Sequence, residues 1–531
     1  MFRRIAYAIC FFLVCVAGAA APSSAQQNLI AAGKNADNAE RAYKAAVKEG
    51  EPALRAFLTG FPKGADLHVH LSGAVYAETF IREAGVDGLC VDPVALRFAQ
   101  PPCTGQLVPA ALLSGNIDRQ RQLLYNRLTD SISMQGFVPS AGWSGHDQFF
   151  SVFDKIGVLK EHSAEWVDEA ASRAAAQNNQ YLELMQVTPF SRAAELAQQI
   201  GWNVQLTQGD EKAFAQYRNQ LLDKGLGDEV KADRDWAQKA EAGRKQIEGC
   251  GTGQAAPACQ VESRYLFTVL RDLAPEVVFA QLLLGFETVE ASMAAKDDTW
   301  VGINLVRPED DFVSMRDYTL QMKMIGYLHS VYPNVPISLH AGELTLGLVP
   351  PEGLRFHIRQ AVEFAGAQRI GHGVDVMYED DAQGLLNDLK LKHVMVEINL
   401  SSNEGILGIK GSAHPFTLYW ASGVPVALST DDEGVSRIDL TNEYVRAALD
   451  YKLSYSDLKK LARTGVEHSF LPGQDLWAWP DDLEAVKQPC VGETLGGDTP
   501  SASCKAFLGA SEKATAEWEL ERRFRAFQAK F

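Results

Sequence analysis

Three observations predict an α/β fold, a (β/α)8 TIM barrel with helical insertions and extra N- and C-terminal helices. Eight short apolar segments recur along the chain with helical stretches between them, the alternation that builds a closed parallel sheet. Several of these segments carry His, Asp or Glu at or just past their carboxyl ends, where barrel active sites are built. The long chain shows no internal repeat and no low-complexity tract that would call for another architecture.

The elements follow in chain order. Arg3 and Arg4 precede an apolar run from Ile5 to about Ala21, with small residues at Ser23 and Ala25, the layout of a cleavable export signal over residues 1–25. That run is shorter than the ~20 residues a membrane span needs. A periplasmic or secreted protein without stable membrane insertion is therefore expected. Ala, Glu and Lys content predicts helix over Leu29 to Leu58, an N-terminal extension (26–60) that Phe61-Pro62-Lys63-Gly64 ends.

The barrel is placed at 61–480. Its strands are predicted at Asp66–Leu71, Tyr181–Val187, Tyr265–Leu270, Val301–Val306, Pro336–His340, Arg369–His372, His393–Leu400 and Val424–Ser429. Insertions fall at about 86–150 and 190–262; within the second, Gln208 to Gln246 reads as exposed helix and Gly249 to Ala258 as loop. Phe149 to Phe153 reads as core packing in preference to an aromatic lid. Helices are predicted at Leu440–Leu449, Tyr455–Glu467 and Ala514–Ala529, with an irregular Pro480–Pro500, so 481–531 is a C-terminal loop and helix.

Composition narrows the function classes. At 46% hydrophobic and 22% charged, 531 residues describe a globular protein, neither disordered nor fibrous. A formal charge of -17 with no Lys/Arg-rich stripe argues against a nucleic-acid partner. Beyond the signal, the cysteines form three sequence-local pairs, Cys90/Cys103, Cys250/Cys259 and Cys490/Cys504. An exported chain favours their oxidation in those pairs, although six cysteines permit 15 connectivities. None has the CxxC spacing of a zinc or redox site.

The chemistry-bearing residues lie at strand ends. His68 and His70, two apart on a strand, project from one face. His340 ends the fifth strand, with Ala341 and Gly342 allowing a tight turn to Glu343. His372 ends the sixth strand between two glycines, and Asp431 and Asp432 follow the eighth. Each alone could be an incidental histidine or a solvated turn. Together, three neutral imidazoles and one carboxylate suit Zn2+, whose bound water has a pKa near 7.

The motifs HxHLxGA, HAGE, RIGHG and STDD, in this order, resemble the adenosine deaminase family of the amidohydrolase superfamily. The similarity runs from about Pro62 to Pro472, including Ser469-Phe470-Leu471-Pro472, and is patchy through the insertions. The export signal and extra length resemble its secreted, growth-factor-related branch. The resemblance implies a TIM barrel, one Zn2+ per chain, and hydrolysis of adenosine or deoxyadenosine to inosine or deoxyinosine plus ammonia. A small purine nucleoside is thus the implied partner.

By motif, His68, His70, His340 and Asp431 resemble the metal ligands and Glu343 the proton shuttle. His372 resembles the residue that orients and polarises the attacking water, and Asp432 the carboxylate on the purine's five-membered ring. Ser72, Gly73, Gly342 and Arg307 are the further substrate-binding candidates. Two departures bear on the substrate: Ser72 stands where an acidic residue often contacts ribose, and Arg307 where a glycine usually contacts the purine. The alternatives are a deaminase of another aminated purine or an adenine nucleotide, a two-metal amide or phosphoester hydrolase, and a non-catalytic signalling or binding protein.

Overall fold

The computed structural model describes residues 24–531 except Asn116 and Asp298, with side chains described from residue 33 onward. The export-signal reading therefore lies almost wholly outside the described residues. The eight expected strands are present: β1 (Gly64–His70), β2 (Asn179–Gln186), β3 (Glu262–Leu270), β4 (Trp300–Val306), β5 (Ser338–Ala341), β6 (Arg369–His372), β7 (Met395–Ile398) and β8 (Val426–Leu428). They pair in parallel as two arcs, β1-β2-β3-β4 and β5-β6-β7-β8.

Isolated bridges close the ring. Ile303 pairs with Ile337 between β4 and the entry to β5, and Val69 pairs with Asp431 just past β8. At the second seam Asp431 N donates to His68 O at 2.8 Å and His70 N donates to Asp431 O at 3.2 Å. All eight residues of β2 and all seven of β4 are buried, as parallel strands covered on both faces require. The helix Pro275–Ala295 is long and apolar enough to cross a membrane, yet 72% of its most apolar window is buried inside the protein. It serves as a core helix.

Three segments differ from the sequence reading. The N-terminal extension is two helices, Ser24–Glu49 and Glu51–Thr59, parted at Gly50, whose φ of 109° favours glycine. The first insertion holds a small antiparallel sheet of Cys90–Asp92, Arg97–Ala99 and Val108–Pro109, too short to leave a period in the sequence. The expected exposed helix over 208–246 is instead two helices, Glu211–Asp223 and Asp228–Ile247, the first burying Phe214, Tyr217 and Leu221. Those three side chains, three and four residues apart, form one apolar stripe amid a charged composition.

The cysteines pair as Cys90–Cys103, Cys250–Cys259 and Cys490–Cys504. The helix Tyr455–Glu467 has the bounds the sequence implied, and the last helix is Glu512–Gln528. Between them the chain is irregular apart from short turns of helix at Gln488–Cys490 and Ala502–Leu508.

Candidate metal centre and active site

Strand periodicity turns His68 and His70 to the same side of β1, and barrel closure brings Asp431 against them. One nitrogen each of His68, His70 and His340 and one oxygen of Asp431 all lie within 4.8 Å of one another. His70 Nε2 is 3.2 Å from His340 Nε2 and 3.2 Å from Asp431 Oδ1; His68 Nε2 is 3.5 Å from the same oxygen. His68 is fully buried and its Nε2 has no hydrogen-bond partner. A buried orphan nitrogen, two facing imidazole nitrogens and a carboxylate form the N3O set a divalent cation such as Zn2+ takes. The residues fit such an ion.

Neighbouring side chains fix which nitrogen of each ring faces the centre. His68 Nδ1–H donates to Glu397 Oε2 on β7 at 2.6 Å, and His340 Nδ1–H to Asn304 Oδ1 on β4 at 2.8 Å. Both rings therefore turn the Nε2 lone pair inward. Glu397 is itself held on its other oxygen by Arg369 Nε (2.7 Å) and Ser338 Oγ (2.8 Å). Arg369, the first residue of RIGHG, is paired in turn with Glu183 at 2.6 Å.

His372 has the opposite arrangement. Phe416 N–H donates to His414 Nδ1 at 3.1 Å, so the proton of His414 sits on Nε2 and goes to Asn403 Oδ1 at 3.0 Å. Asn403 then offers its amide nitrogen to His372 Nδ1 at 2.9 Å, which leaves the His372 proton on Nε2. Burial pushes both His372 and His414 down to about 3, so each carries a single ring proton near neutrality. His372 Nε2 points toward Asp431, 3.8 Å from Oδ2, and presents a donor where the other histidines present lone pairs. Gly371 is required here, since a Cβ would lie 2.7 Å from His68 Cε1.

The three carboxyls divide by environment. Asp431 is buried, yet the adjacent His68 and His70 rings hold it well below the usual carboxylate range. Glu343 is pushed well above that range by burial and then by the charges of Asp431 and Glu309; Oε1 has no partner. Asp432 is pushed up by burial and by Asp431, and its Oδ1 is also unpartnered. The surroundings thus act in opposite senses, favouring the ionised form of Asp431 beside the donor set and the protonated forms of Glu343 and Asp432.

A cavity of about 770 Å³ opens on these groups. His70, His340, Glu343, His372, Asp431 and Asp432 face it, as do Ser72, Arg307 and the aromatic Phe149, Phe150, Phe153 and Trp166. The helix Gly145–Ile156 carries these three phenylalanines, and Phe149, only 2% exposed, packs in the core and lines the cavity at once. Arg307 has φ 89° and a side chain 40% exposed, with Nε 3.5 Å from Asp272 Oδ2. The nearby acids are engaged elsewhere: Glu309 is buried and Asp310 meets His146 Nε2 at 2.9 Å.

Gly73 and Gly342 lie beside the site without lining the cavity. A Cβ on Gly73 would fall 1.4 Å from Asp432 Oδ1, so the glycine makes room for that carboxyl. Gly342, at φ +78°, allows the turn from His340 to Glu343. Glu397, Asn304, Asn403 and His414 did not emerge from the sequence. A lone charge inside the apolar segment His393–Leu400 was the available signal for Glu397, whereas the polar partners Asn304, Asn403 and His414 left none.

An adenosine deaminase family profile matches residues 243–483. Adenosine deaminases of Clostridium perfringens and Enterococcus faecalis are 33% and 34% identical over 135 and 156 residues. Those stretches are 25% and 29% of this chain and 37% and 41% of the relatives, so the match spans well under half of the curated relatives' length. The structure of an ADAL–IMP complex is similar in fold, with a TM-score of 0.50 at 20% identity over 79% of this chain and 94% of that one. His68 and His70 precede the profile match, and geometry joins them to the residues inside it.

Proposed function

We propose that this chain, of the adenosine deaminase family over residues 243–483, is a Zn2+-dependent hydrolase that replaces the exocyclic amine of an adenine nucleoside with oxygen, releasing ammonia. The observation that carries this reading is the juxtaposition of the His68/His70/His340/Asp431 donor set with Glu343, a buried carboxyl whose Oε1 has no partner. An ion held by that set supplies Lewis-acid charge and makes water nucleophilic near neutral pH.

The protein's own groups account for the proton movements. Water adds to the amine-bearing ring carbon while Glu343 gives its proton to the adjacent ring nitrogen. The carboxylate so formed accepts one proton from the added water and passes it to the amine, which leaves as ammonia, and the remaining hydroxyl proton returns to Glu343 as the carbonyl forms. His372 Nε2–H donates to the attacking oxygen and orients it. Protonated Asp432 donates to a nitrogen of the five-membered ring and fixes the base, against which the phenylalanines of the Gly145–Ile156 helix provide an apolar wall. Burial of these groups excludes competing water.

A second reading takes an adenine nucleotide as substrate, and Arg307 favours it: a cavity-lining guanidinium whose Nε lies 3.5 Å from Asp272 Oδ2 keeps its terminal nitrogens for a phosphate. The fold-similar ADAL structure was solved with IMP, itself a nucleotide. Export with removal of residues 1–25 completes the proposal, supported by the three disulfides.

Ammonia release from metal-loaded protein with adenosine, deoxyadenosine, adenine, AMP and methylated adenosines tests both readings. Ammonia from none of them overturns deamination of purines. Arg307→Gly is expected to lower the AMP-to-adenosine rate ratio about tenfold or more, the scale of one charge-assisted hydrogen bond. An unchanged ratio removes the nucleotide reading.

A further inference from the structure

Beyond the four donors and the three acid–base groups, the turn that carries Glu343 is held by a carboxylate no motif includes. Glu309 is only 2% exposed and lies three residues past the end of β4. Its Oε1 accepts from Gly342 N–H at 3.0 Å and its Oε2 from Glu343 N–H at 2.8 Å. The two amides that follow β5 are therefore both satisfied by one side chain from the neighbouring strand end. His357 Nδ1 makes a third contact, to Oε1.

His357 is in turn immobilised. Its ring stacks on Tyr318 at 3.8 Å with an 11° interplanar angle, and Tyr318 OH donates to His357 O at 2.8 Å. Burial would push the Glu309 carboxyl up, but the His357 charge and hydrogen bond, Arg271 and the Gly342 amide outweigh it and bring it down to about 2. Glu309 is thus an ionised, fully bonded clamp. It contacts neither the donor set nor the cavity: its three partners are Gly342, Glu343 and His357.

We propose that Glu309 is a positioning residue for the reaction: by gripping the Gly342 and Glu343 amides from below, it sets where the Glu343 carboxyl stands over the substrate. The inference rests on the reading of Glu343 as the proton shuttle. The physical need is specific. Gly342 occupies the left-handed region at φ +78°, so the turn has conformational freedom that another residue would lack, and an external clamp is what removes it. A general acid displaced by about 1 Å loses on the order of 10²-fold in rate.

Glu309→Gln keeps the size but offers one acceptor oxygen to two amides and a ring N–H. The expected result is a kcat about 10- to 100-fold lower, with KM and metal content unchanged. A double-mutant cycle with Glu343→Gln separates positioning from general weakening: Glu309→Gln should cost nothing further once the shuttle is gone. An equal loss in both backgrounds, or an unchanged kcat, overturns the proposal. Should Glu309→Gln fail to fold, Glu309→Asp, which keeps the charge but is one methylene short, should show the same kcat-selective loss, and wild-type kcat there also overturns it. Amide hydrogen exchange over residues 340–345 supplies a reading independent of substrate: faster exchange at Gly342 and Glu343 in the variant supports the clamp, and unchanged protection overturns it. An inactive wild-type enzyme would sink the deaminase reading, while the exchange result still decides whether Glu309 holds the turn.

Discussion

Glu397→Gln is the substitution whose consequence the hydrogen bonds define most sharply. Glu397 takes His68 Nδ1–H on one oxygen and Arg369 Nε and Ser338 Oγ on the other, so every neighbour is a donor. Glutamine has one oxygen. Arg369 cannot become an acceptor, so that oxygen turns to Arg369 and the amide nitrogen faces His68 Nδ1. His68 must then accept there, and its proton moves to Nε2, the buried atom that faces the donor set without a partner. The substitution thus places a proton where a metal ion needs a lone pair. Loss of such a supporting partner typically weakens metal binding about 10- to 100-fold, or about 1.4 to 2.8 kcal/mol. Competition titration with a zinc-chelating dye would measure it, and excess zinc should restore turnover. Unchanged zinc affinity in a folded variant would refute the tautomer argument, and with it the place of Glu397 in the centre.

Two further substitutions separate the other roles. Glu343→Gln should leave zinc content and melting temperature intact while turnover falls about 10² to 10⁴-fold, the usual worth of general acid–base catalysis; retention of more than about a tenth of turnover would reassign the shuttle. Gly73→Ala would put a Cβ 1.4 Å from Asp432 Oδ1 and must displace that carboxyl, costing on the order of 10²-fold in turnover without loss of metal. Wild-type kinetics in that variant would show that Asp432 does not fix the base.

Strand order and the donor set were legible in the sequence because both depend on local pattern. A parallel strand buried on both faces is a short apolar run, and a donor at its carboxyl end interrupts that run abruptly, as His340 and Asp431 do. The same locality hid the rest. The three-residue strands of the first insertion have no period to detect, and the stripe of Phe214, Tyr217 and Leu221 was masked by the charged residues between them. Glu397, Asn304 and Asn403 act through contacts 329, 36 and 31 residues away in sequence, so residue type alone could not assign them. Arg307 shows the intermediate case: its place at a strand end was readable, whereas its pairing with Asp272 depends on the path of the preceding strand's loop.

The donor set also bears on how the barrel closes. Within each arc neighbouring strands share a ladder, but β1 meets the end of β8 through the bridge between Val69 and Asp431. Of the four donors, His68 and His70 come from one side of that seam and Asp431 from the other. The backbone bonds that close the seam, Asp431 N to His68 O and His70 N to Asp431 O, are made by the same three residues. Asp431 accordingly sits in the left-handed region at φ 62°, a conformation aspartate tolerates better than most residues. His68, His70 and Asp431 would hold an ion across that seam, and binding only the closed form at a hundred times its Kd would add about 2.7 kcal/mol. The backbone geometry that completes the fold is thus also the geometry that brings these three donors together.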